Sequence, residues 1–128
     1  MNEIDKRKLN MLLHLAKVDG RFEKSERKLL HEFIEEKGLL ASTLDEEEQP
    51  MKFGEMSDKV DAKIELLYWA IKLIQADQII HEKELIFCKN LASKLHFKEE
   101  IVTNYVYKPL PDFSVFEREV MSFWIMGL

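Results

Sequence analysis

The chain has 128 residues, near the commonest size of a single domain, so it can bury a core without disulfides or metals. Its formal charge of −5 comes with no basic stripe interleaved with aromatics, which removes the electrostatic footprint of a nucleic-acid binder. Only four glycines and three prolines are present, too few to punctuate an all-β sandwich or barrel, and 34% charged residues suits helices with long solvated faces.

A lone Cys88 rules out an intramolecular disulfide and a CxxC metal knuckle, which fits a reducing compartment. The opening Met1-Asn2-Glu3-Ile4-Asp5-Lys6-Arg7 leads into no secretory apolar core, and no run reaches the roughly 20 apolar residues of a membrane span. The expectation is one cytoplasmic, all-α domain over residues 1–128 without membrane insertion.

Leu9, Leu12, Leu13 and Ala16 recur at i, i+3, i+4 and i+7, and Met11, Leu15 and Val18 widen the stripe, predicting a helix over about 3–18. Asp19-Gly20 interrupts it, because Gly reaches positive φ cheaply and Asp bonds to turn backbone. A second amphipathic stretch with Leu29, Leu30, Phe33 and Ile34 runs to Gly38, a suitable C-terminal cap. Residues 41–57, with the acidic run Asp45-Glu46-Glu47-Glu48 and then Pro50 and Gly54, hold no period and read as a connector. A long helix starts near Ser57 or Asp58 and is apolar almost all round from Leu66 to Ile74, which places it at the centre of the core. Further helices are predicted over Glu82–Leu95 and Lys98–Val106. Pro109 and Pro111 break the chain before a last helix from Ser114 to Met126, with Val115, Phe116, Val120, Phe123 and Trp124.

Sliding residues 9–39 onto 67–97, a shift of 58, sets all thirteen apolar residues of the first window on apolar residues of the second. Four pairs are identical: Leu9/Leu67, Leu15/Leu73, Asp19/Asp77 and Glu26/Glu84. The pattern predicts a duplicated helix-turn-helix, repeat 1 over about 5–39 and repeat 2 over about 58–97, packed about a pseudo-twofold axis and followed by helices in 98–128. In each unit an apolar helix leads to Asp, a short turn, Phe22 or Ile80, three positions, and Glu. That register puts Glu26 and Glu84 at the third position of the next helix, facing orphan amides and the positive end of the dipole. It puts Glu23 and His81 at the N-cap, where neither is a preferred residue.

The segments Ala16-Lys17-Val18-Asp19-Gly20-Arg21-Phe22-Glu23-Lys24-Ser25-Glu26 and Ile74-Gln75-Ala76-Asp77-Gln78-Ile79-Ile80-His81-Glu82-Lys83-Glu84 resemble the paired A-x-x-D-G-x-[aliphatic]-x-x-x-E signatures of the TerB-like family, associated with tellurite resistance. A similar fold occurs in the N-terminal region of DjlA-type co-chaperones. The resemblance covers about residues 5–105 and departs from the pattern at Gln78, where the second glycine is lost, and at both N-caps. It implies an all-helical cytoplasmic domain of stress-related or membrane-associated complexes, with a proposed divalent-cation role for the acidic residues, and it does not imply an enzyme. No HPD tripeptide of a J-domain is present.

If the pseudo-twofold brings the turns together, Asp19, Glu26, Asp77 and Glu84 would offer hard oxygen ligands for calcium or magnesium; otherwise they stabilise turns and helix starts. The eight positions from Asp19 to Glu26 are too few for an EF-hand loop. The four histidines, His14, His31, His81 and His96, form no HExxH pair, and His81, beside Glu82 and Glu84, is the one weak metal candidate among them. There is no GxSxG elbow or phosphate-cradling glycine loop. The leading reading is a non-enzymatic interaction or sensing module. A metal-dependent hydrolase using the clustered carboxylates and a purely structural subunit are the alternatives. Consecutive Phe123, Trp124, Ile125 and Met126 cannot share one helical face. Phe123 and Trp124 therefore either dock on the domain's own core or form a surface for a protein partner or homodimer.

Overall fold

The structure is a computed structural model that describes residues 3–18, 20, 24–39, 60–76 and 79–125. Six helices follow one another in it: α1 (Glu3–Ala16), α2 (Lys24–Lys37), α3 (Val60–Gln75), α4 (Glu82–Lys94), α5 (Glu100–Val106) and α6 (Phe113–Val120), the last running into a 3-10 turn at Met121–Phe123. Among the described residues there is no strand, only an isolated antiparallel bridge between Phe97 and Trp124. No described helix is long and apolar enough to cross a membrane.

The centre of the fold is α3. It contains no Gly or Pro, and between Leu66 and Ile74 only Tyr68 and Lys72 escape full burial. A helix apolar on nearly every side needs neighbours on every side, and α1, α4, α5 and α6 all pack against it. From α1 come Leu9, Met11, Leu12, Leu13, Leu15 and Ala16, all buried. The helix α2 adds Leu30, Phe33 and Ile34, with the Phe33 ring edge-on to Trp69 at 5.2 Å.

Two helices end in the same way. After α2 the chain turns through Gly38 at φ +67°, where the Leu39 amide donates to the Ile34 carbonyl (3.0 Å) and the Gly38 amide to Glu35 (3.2 Å). After α4 it turns through His96 at φ +68°, where the Phe97 amide donates to Ala92 (2.9 Å) and the His96 amide to Ser93 (3.0 Å). Both are Schellman closures, which satisfy carbonyls that the last helical turn leaves without partners. The ends of α1 and α3 are also alike, with Val18 donating to Leu15 and Ala76 to Leu73, each at 3.2 Å. The predicted Asp19-Gly20 interruption has Gly20 at φ +82°.

The later elements lean on α3 through polar as well as apolar contacts. Gln75 Nε2 lies 3.1, 3.1 and 2.8 Å from the carbonyls of Tyr105, Val106 and Lys108, so one amide serves the open end of α5. Tyr68 donates its hydroxyl to the Pro111 carbonyl at 2.7 Å and meets Phe113 and Phe116 edge-on.

The helix expected to run from Ser114 to Met126 stops at Val120. Leaving the helix lets the apolar run divide: Phe123 approaches the Tyr105 ring at 6.5 Å, while Trp124, extended at φ −70° and ψ 130°, reaches Phe97 at 4.9 Å. The short helix expected from Lys98 begins at Glu100. The connector 41–57 and the expected start at Ser57 or Asp58 lie outside the described residues.

Candidate functional site

Glu26 and Glu84 each occupy the third position of a helix, α2 starting at Lys24 and α4 at Glu82. Both carboxylates point inward, leaving the residues 2% and 1% exposed, which is unusual for an acid unless its charge is compensated. Within the described residues Glu26 Oε2 and Glu84 Oε1 accept no hydrogen bond, although each residue has a polar or electrostatic partner through other contacts. One turn beyond Glu84, the Cys88 thiol is pushed up to about 12 by complete burial and by the Glu84 charge. A thiol held protonated packs as a small hydrophobe and is a poor nucleophile.

Asp19 and Asp77 lie outside the described residues, so the four-carboxylate arrangement cannot be drawn from them. Among the described residues no three His, Cys, Asp or Glu side chains stand together as a metal would need. His81 is the half-buried N-cap of α4, in extended backbone (φ −86°, ψ 135°), and its side chain makes no capping bond. Its carbonyl accepts the Leu85 amide at 3.0 Å, and the residue has a further partner.

Phe123 and Trp124 are half-buried against the chain's own body. Beneath the Trp124 indole lie Phe97 and His96, with ring centroids 4.9 and 6.3 Å away, and the Lys63 ammonium at 4.8 Å. The Lys98 amide donates to the Phe123 carbonyl (2.9 Å) and the Ile125 amide to the His96 carbonyl (2.8 Å).

Two features escaped the sequence reading. The first is an ionic cluster joining three helices: Lys8 Nζ donates to Glu65 Oε1 at 2.8 Å and to Asp5 Oδ1 at 3.3 Å, and Lys37 Nζ donates to Glu65 Oε2 at 2.7 Å. Burial raises the Glu65 carboxyl, but the hydrogen bonds and charges of Lys37 and Lys8 outweigh it and hold the group below its ordinary value. The available signal was the register: Asp5, Lys8, Leu12 and Leu15 share one face of α1, so two charges sit on its apolar stripe. The second is an open cleft of about 500 Å³ between α2 and α3, lined by Lys28, Leu29, Glu32, Tyr68, Lys72 and Leu110. Lys72 stands over Trp69 and Tyr68, 4.5 and 5.3 Å from the ring centroids, which holds its ammonium at the rim. Burial raises the Tyr68 phenol, as do the charges of Asp112 and Glu36. The cleft therefore presents both signs of charge around an apolar floor.

Comparison of the chain with protein-family models, curated proteins and solved structures finds no match in any of the three.

Proposed function

We propose that this chain is a non-enzymatic interaction module of TerB-like build, made by duplication of one helix-turn-helix unit. The observation that carries the reading is the agreement of helix ends under the shift of 58. Gly38 falls on His96, both left-handed, and the bonds Leu39 to Ile34 and Gly38 to Glu35 fall on Phe97 to Ala92 and His96 to Ser93. Burial follows the same register, Leu9 with Leu67, Leu15 with Leu73, Leu30 with Cys88, Leu39 with Phe97 and Glu26 with Glu84. Helical period alone explains alternating burial within a helix; it does not explain a left-handed residue and a buried acid recurring at one offset.

In this reading Glu26 and Glu84 belong to the scaffold, each fastening a turn to the start of the following helix. Any calcium or magnesium taken by the module is then held from the turns, by Asp19 and Asp77. The test is a thermal-unfolding titration with each ion beside an assay of simple phosphate and ester substrates. A cation held by the turns stabilises the chain by about 2.7 kcal/mol at a hundredfold excess over its dissociation constant. Asp19→Asn with Asp77→Asn removes that gain, whereas Glu26→Gln and Glu84→Gln retain it. Turnover is expected with neither ion. Turnover that requires a metal and is lost in the double Asp variant would make the chain a hydrolase instead.

A further inference from the structure

We draw no further inference here: the strongest candidate, the open cleft between α2 and α3 with Leu29 and Leu110 on its floor and Lys28, Glu32 and Lys72 around it, carries nothing because its charges are of both signs and nothing in the structure shows what covers it.

Discussion

A carboxylate with two lysines is a pH-dependent fastening, and Glu65 is the residue through which α1, α2 and α3 are tied. Its folded value is depressed, so its contribution is present in full above the unfolded Glu value of about 4.3 and is lost as pH falls through the lower folded value. Glu65→Gln should lower stability at pH 7 by on the order of 2 kcal/mol, because Lys8, nearly buried, then keeps among the described residues only Asp5, on its own helix, as an acid partner. In denaturant titrations the gap between variant and wild type should close as the pH drops below about 4, and a constant gap would remove Glu65 as the fastening. Cys88 gives a second outcome at this scale: an alkylating reagent at pH 8 should leave the native thiol untouched and modify it only after denaturation, because burial and the Glu84 charge keep it protonated. Modification of the folded chain would mean that α4 opens locally. Neither feature was legible from residue type alone. Glu65 reads as one more exposed acid until α1 and α3 are laid together, and Cys88 was recognisable as core only by its place on the apolar face of α4.

Helices were readable wherever an apolar stripe stayed in period, and their ends were readable where a residue type dictates backbone. Gly38 is such a case, and its φ of +67° is the conformation a C-terminal cap requires. His96 is not, since nothing about histidine announces φ +68°; only its register with Gly38, 58 positions earlier, points there. The pair makes a matched prediction. A Cβ at Gly38 would meet nothing within 4 Å, so Gly38→Ala should cost about 1 kcal/mol from left-handed strain alone. The opposite change, His96→Gly, removes strain and should be neutral or stabilising by up to about 1 kcal/mol in the same unfolding assay. A large loss in His96→Gly would show that the imidazole, 6.3 Å from the Trp124 ring, matters more than the backbone. In the central helix, Leu67→Ala and Ile71→Ala should each cost about 2–5 kcal/mol, because both side chains are fully buried and would leave cavities. The helix most misjudged in extent was the last, by six residues at its end against two at the end of α1 and the start of α5. Its apolar residues continued past Val120, but they serve two different neighbours, which period cannot reveal.

At the scale of the whole molecule, composition was enough for an all-α chain, and the arrangement around α3 followed from its apolar circumference. The site was less legible. A sequence marks acidic residues beside a turn but does not say whether they face solvent, a neighbour or each other, and the inward burial of Glu26 and Glu84 becomes visible only once α2 and α4 are docked. The proposed duplication organises both levels, giving one unit that buries its apolar face against a copy of itself, with α1 and α3 as the central pair and α2 and α4 outside them. An experimental structure carrying both turns, determined in the presence of calcium, tests this most directly. The account predicts that residues 9–39 superpose on 67–97 with both Schellman closures in register and with Glu26 and Glu84 turned inward in each unit. A structure in which the two windows do not superpose, or in which Glu26 and Glu84 leave the core to ligate the ion, would contradict it.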